Sequence, residues 1–143
     1  MKPPTDQSTF RVCFGNAPAL PNALPLPIPV LAGRSVEEII PGLAEIAPTA
    51  GFRLFSRDGW LVGSISEPLK DDLSAQTHHL YQRLLAIVGD RPLVRSWNYV
   101  PLINQLNAEG LENYRAFCRC SSLAFEGQLG RTYREHLPAA SAV

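Results

Sequence analysis

The sequence predicts an α+β domain, a mixed β-sheet with two helices packed on one face. Three observations carry that expectation. Leu69–Val88 repeats apolar residues at spacings of three, four and seven, and Leu111–Leu129 gathers its apolar residues on one helical face. Short runs rich in aromatic and β-branched residues, Thr9–Gly15 and Pro92–Pro101 among them, flank these helices. Asp-Gly and proline joints separate the two kinds of segment.

Taken in order, residues 1–8 read as a flexible tip and residues 9–143 as one domain. Thr9–Gly15 is the first strand. Pro18, Pro21, Pro25, Pro27 and Pro29 then forbid a helix, because each removes an N–H donor and pushes its predecessor towards extended geometry. Leu24, Leu26, Ile28 and Val30 alternate with the last three prolines. An extended chain would put the aliphatics on one face, as a cover laid over the domain's own core. The competing reading is a polyproline ligand for a partner domain. Gly33–Gly42 holds a short amphipathic turn with a proline stop. Gly51–Ser66 reads as a hairpin, with strand residues Phe52, Leu54, Trp60, Val62 and Ile65 around an Arg57-Asp58-Gly59 turn. Leu69–Val88 follows as the clearest helix, with Asp71 and Asp72 in its first turn and Gly89 ending it. Pro92–Pro101 is a strand bracketed by prolines. In the second helix Leu111, Tyr114, Phe117, Cys118 and Phe125 form the inward stripe. Pro138 then opens a last strand.

Composition narrows the function. The chain has 143 residues, 45% of them hydrophobic, which suits a domain able to bury a core. Lysine plus arginine equals aspartate plus glutamate, so the net charge is zero; a nucleic-acid binder normally carries a basic surplus. The amino terminus lacks an apolar signal-peptide core, no run approaches the length of a membrane span, and three cysteines cannot all pair with one another. The expected setting is a reducing cytosol with Cys13, Cys118 and Cys120 as thiols.

The chemistry-bearing residues form no self-contained catalytic set. Cys118 and Cys120 lie two apart on a helix and point about 200° apart, so they do not share a metal easily. Cys118 is expected in the core and Cys120 outside it. His78 and His79 splay by about 100° and read as surface residues. Gly130–His136 is the densest polar cluster, with Arg131, Tyr133, Arg134 and His136. It reads either as a solvated helix end whose cations suit the dipole or as an anion contact. No phosphate-binding loop, nucleophile elbow or dinucleotide fingerprint is present in the sequence.

Two resemblances extend this reading. The order of hairpin, helix, strand, helix and strand resembles the small trimeric imine/enamine deaminases, the RidA/YjgF-like (chorismate mutase-like) fold. In that family the last strand begins Pro-Ala-Arg, and the arginine grips the substrate carboxylate. Here Pro138-Ala139-Ala140-Ser141 puts Ala140 at that place, and a methyl group makes no charge-assisted bond. The stretch Pro92–Glu126 is more closely similar to the amino-terminal half of the chorismatases. It carries Arg95-x-Trp97-Asn98-Tyr99, an Ile103-Asn104 loop, and the helix Gly110-Leu-Glu-x-Tyr-Arg-x-Phe-Cys118.

That resemblance implies a chain about half the family length, continued by a carboxy-terminal half that holds the catalytic groups. It implies chorismate as substrate, hydrolysed to pyruvate plus a hydroxybenzoate or a dihydroxycyclohexadiene carboxylate. That chemistry needs no metal or organic cofactor, and the likeness to the deaminase-like fold implies a homotrimer, in the cytoplasmic setting that composition suggests. On this reading no catalytic residue lies in the chain, and Arg131, Tyr133 and Arg134 line the substrate pocket.

Overall fold

The computed structural model describes residues 9–18 and 20–143. The expected flexible tip, residues 1–8, lies outside the described residues. The chain forms two compact units, divided in sequence between Ser66 and Glu67.

The first unit is built of strands: β1 (Arg11–Phe14), β2 (Ala23–Leu26), β3 (Val36–Glu38), β4 (Ala44–Thr49), β5 (Phe52–Arg57) and β6 (Trp60–Ser64). They form two hydrogen-bonded sheets, in the orders β2-β1-β3 and β4-β5-β6. In the first, β1 runs parallel to β2 and antiparallel to β3, with Arg11 opposite both Ala23 and Glu38. Arg11 N donates to Asn22 O and Gly15 N to Leu26 O. The ladder therefore uses the even-numbered residues of β2, and the missing N–H of Pro25 falls on the open edge.

The second sheet is a meander with two-residue turns. Asp58 and Gly59 both have positive φ, 48° and 82°, as a type I′ turn demands. Ala50 and Gly51 repeat the pattern at 50° and 84° between β4 and β5. Phe10, Val12, Leu43 and Phe55 form the buried cluster of this unit, with Leu24 and Leu26 packed against it. Phe10 and Phe55 pack with ring centroids 4.9 Å apart, their planes tilted by 41°.

The second unit holds α1 (Leu73–Val88), β7 (Arg95–Asn98), α2 (Asn113–Leu129), a 3₁₀ turn (Gly130–His136) and β8 (Ala139–Ala142). β7 and β8 pair in parallel, Arg95 opposite Ala139 and Asn98 opposite Ala142. Tyr81 and Leu85 of α1 meet Phe117, Ala124 and Phe125 of α2, and Leu93, Val100 and Ala142 pack against that cluster. The two helices thus pack together and share a core with residues in and around the β7–β8 pair.

Several expectations are corrected. The single mixed sheet is three small hydrogen-bonded sheets among the described residues. Gly33–Gly42 contains β3 rather than a helical turn, because Val36–Glu38 completes the free edge of β1. The helix from Leu69 starts instead at Leu73. Asp72 is its cap rather than part of its first turn, and the Asp72 carboxylate accepts from Ala75 N at 2.9 Å. The proline-rich cover is half a cover: Leu24 and Leu26 face the core, whereas Ile28 and Val30 are 36% and 40% exposed. On α2 the cysteine assignment reverses, with Cys120 buried and Cys118 half-buried. Tyr114, expected on the inward stripe, is exposed, while Ala116 and Ala124 fill the interior face.

Candidate functional site

The parallel pairing of β7 with β8 brings the strand bearing Trp97 and Asn98 beside Pro138–Ser141. Ladder periodicity turns Ser96 and Asn98 to one face and Arg95 and Trp97 to the other. The Asn98 side chain ties β7 to β8 with one end and to α1 with the other. Its Nδ2 donates to Ser141 O at 3.0 Å, and its Oδ1 accepts from the Tyr81 hydroxyl at 2.9 Å. Its backbone carbonyl accepts from Val143 N, and Val100 N donates to Val143 O. Burial pushes the Tyr81 phenol above its ordinary pKa of 10.0, and the neighbouring Ser96 and Asn98 side chains pull it partway back. Tyr81 therefore stays a neutral donor at physiological pH. On the opposite face the Arg95 guanidinium sits 5.0 Å from the Trp97 ring, and Trp97 is 47% exposed.

The loop between β7 and α2 serves the helix. Ile103 O accepts from Tyr114 N and Gln105 O from Asn113 N, while Asn113 Nδ2 donates to Leu102 O. Asn107 Oδ1 accepts from both Glu109 N and Leu111 N. The first two amides of α2, those of Asn113 and Tyr114, are thus met by the protein's own carbonyls.

Arg131, Tyr133 and Arg134 all lie on the 3₁₀ turn between α2 and β8. Residues three apart eclipse in such a turn, so Arg131 and Arg134 share a side. Both are exposed; Tyr133 is half-buried and packs on the cluster of this unit. Arg134 Nε donates to the Tyr133 hydroxyl at 3.4 Å, and its guanidinium lies 5.8 Å from that ring. The turn thus carries all three, with Arg134 against the Tyr133 phenol and Arg131 exposed to solvent. Ala140 sits on β8 opposite Ser96, with no cation in its own side chain to hold a carboxylate.

The acid chemistry is equally limited. Glu67 pairs with Arg83 at 2.6 Å. That bond holds its carboxyl below the usual carboxylate range, the reverse of what a proton donor needs. Tyr114 has its phenol pushed up, first by its hydrogen bond with Cys118 one turn on. Among the described residues no cluster of three His, Cys, Asp or Glu side chains is placed to hold a metal ion. No described helix is long and apolar enough to cross a membrane. Sequence reasoning takes Asn98 as a residue that ties down backbone groups, which it is, but misses its particular partners, Tyr81 and Ser141. The only linear signal of the tie is an asparagine in a strand, and the partners lie 17 and 43 residues away.

Comparison with known proteins gives this arrangement its context. The family model described as "Chorismatase FkbO/Hyg5-like, N-terminal" matches residues 43–143. A 3-hydroxybenzoate synthase of Streptomyces hygroscopicus is 42% identical over 60 residues, 42% of this chain and 17% of that protein. A chorismatase of Streptomyces rapamycinicus is 54% identical over 35 residues, 24% of this chain and 10% of that protein. The crystal structure of a chorismatase superposes with a TM-score of 0.70 at 22% identity, covering 100% of this chain and 46% of that one. The chain thus spans less than half of the solved chorismatase, and the matched segments are small fractions of the curated relatives. With most of its length matched, β4 through β8, the chain belongs to the FkbO/Hyg5-like chorismatase N-terminal domain family.

Proposed function

We propose that this chain is the amino-terminal domain of a chorismatase and acts on chorismate together with a carboxy-terminal half of the same protein. The single observation that carries the reading is the family match over residues 43–143, which contains the whole Arg95–Cys118 motif region. The fold is of the RidA/YjgF-like type, here with Ala140 where an imine deaminase would place its arginine.

The reaction is hydrolysis of the enol ether. A carboxylic acid protonates the enolpyruvyl methylene carbon, water adds to the oxocarbenium carbon, and the hemiketal collapses. The bond from the hemiketal carbon to the ring-borne oxygen breaks, releasing pyruvate and a dihydroxycyclohexadiene carboxylate; a hydroxybenzoate forms where the ring then loses one water and becomes aromatic. No metal or organic cofactor enters. The Arg83-bound Glu67 is unsuited to be that acid, so it is assigned to the other half, and the isolated chain is inactive. Arg131 and Arg134, with Tyr133 as their support, meet the substrate's carboxylates at the pocket rim. The full protein works in the cytoplasm as a homotrimer.

The test is direct. Chorismate is incubated with the isolated chain and with a longer polypeptide containing it, and pyruvate is followed with lactate dehydrogenase. Turnover by the longer form alone is expected, and silence from both overturns the assignment. Hydrolysis of an amino-acid-derived imine by the isolated chain would install the deaminase reading in its place.

A further inference from the structure

Residues 27–35, between β2 and β3, are all exposed and belong to no helix or strand. From residue 29 to residue 34 the backbone makes no hydrogen bond among the described residues. Leu31 is 97% exposed. Gly33 sits at φ +93° with open space where a Cβ would project. Proteolytic cutting concentrates in segments of this kind, because a protease must draw several residues on each side of the bond into its cleft as an extended chain.

Arg34 gives the segment its chemistry. It is exposed, and its guanidinium has no hydrogen bond or ion pair among the described residues. The acidic primary pocket of a trypsin-like serine protease takes such a side chain. Small residues flank it, Ala32 and Gly33 before the bond and Ser35 after it. Of the other lysines and arginines, all but Lys2, Lys70 and Arg91 lie in helices, strands or the 3₁₀ turn. Lys2 and Arg91 each precede a proline, whose ring and missing N–H such an enzyme does not accept. Lys70 precedes two acidic residues, Asp71 and Asp72, and Gln76 clips its segment down. Lys70 N donates to Gln76 Oε1, and Gln76 Nε2 donates to Pro68 O. The bond between Arg34 and Ser35 is left as the one with both an open backbone and an acceptable successor.

Cutting there also requires that Ser35 O release Phe14 N and that Val36 and Glu37 leave β1, a short opening at the edge of the β2-β1-β3 sheet. Beyond that opening Glu38 keeps its ion pair with Arg11 at 3.3 Å, and Phe10 and Val12 stay buried with Leu43 and Phe55.

We propose that the peptide bond between Arg34 and Ser35 is a processing site for a trypsin-like serine protease, and that the nicked chain keeps its two pieces together. Water adds across the C–N bond, leaving a carboxylate on Arg34 and an amine on Ser35. The piece ending at Arg34 stays seated through β1, and the cut falls upstream of the family-matched residues 43–143. The proposal is independent of the enzymatic reading.

Limited digestion with trypsin, followed by intact mass and amino-terminal sequencing, tests it on the wild type, Arg34→Gln and the control Lys70→Gln. Because Arg34 has no bonded partner, its replacement leaves the circular dichroism spectrum unchanged. The expected first products are residues 1–34 and 35–143, the larger beginning Ser35-Val36-Glu37, and the two co-elute in gel filtration under native conditions. Arg34→Gln abolishes this cut, and Lys70→Gln leaves it unchanged. A first cut at any other bond, or an Arg34→Gln chain degraded as fast as the wild type, overturns the site. Separation of residues 1–34 from the remainder on the column overturns their retention.

Discussion

Replacing Asn98 with alanine should loosen the second unit by a calculable amount. The substitution leaves the Tyr81 hydroxyl, on a residue only 3% exposed, without its acceptor at 2.9 Å. It also removes the donor that reaches Ser141 O. An orphaned buried donor costs about 1–3 kcal/mol, so a loss of roughly 2 kcal/mol is expected. With a denaturant slope of about 1.5 kcal/mol per M urea, the midpoint falls by roughly 1.3 M. Tyr81→Phe alone should cost about 1 kcal/mol. In the Asn98→Ala background it should cost almost nothing, because the hydroxyl has already lost the bond that Tyr81→Phe would remove. The coupling in the double-mutant cycle is therefore about 1 kcal/mol. Urea titration followed by tryptophan fluorescence measures all four corners. If Asn98→Ala costs under about 0.5 kcal/mol and the two substitutions add, the tie does not hold β8 and the reasoning fails.

Three further outcomes follow from the same structure. Phe55→Ala, at a fully buried position in the first unit, should destabilise by about 3–5 kcal/mol in the same titration, and a loss under 1 kcal/mol would contradict its place in the core. Glu67→Gln should be less stable than wild type at neutral pH. Because Arg83 depresses the folded-state pKa of Glu67, its contribution is present above the ordinary 4.5 and fades as pH falls through the lower folded value. The gap between the two proteins should therefore close below pH 4.5, and a constant gap would remove the ion pair from the account. In a polypeptide that turns over chorismate, Arg131→Ala and Arg134→Ala should each raise KM about tenfold, as loss of a charge-assisted bond predicts, with kcat little changed. A fall in kcat at constant KM would place them elsewhere in the mechanism.

The parts legible in the sequence were those whose signal is local. Asp58-Gly59 announced its hairpin because only a few residue types accept two successive positive φ values. The stripe of α1 was plain from Leu73 onward. Leu69 extended it falsely, since the first turn of a helix needs a cap and Asp72 supplies one. β4 stayed hidden because Ala44–Thr49 is exposed along its whole length and carries a register break before Thr49, so no alternation marks it. β3 was mistaken because three residues are too few to separate a period of two from one of 3.6. Ile28 and Val30 were expected inside because the chain was assumed to stay straight. Instead Ile28 N donates back to Leu26 O, and the segment bends away after Leu26. At the candidate site the Arg131–Arg134 cluster was visible as a run, but the Asn98 tie joins residues that only the fold brings together.

The parallel pair β7–β8 bears on how the molecule assembles. The meander from β4 to β6 closes through two-residue turns, whereas Asn98 must find Ser141 across 43 residues with α2 between them. Closing so long a loop spends chain entropy before any ladder bond returns it. The last strand should accordingly dock late: in pulse-labelled refolding, the amides of Ala139 and Val143 should gain protection after those of β5. Protection acquired simultaneously would mean that the two strands meet before α2 has formed.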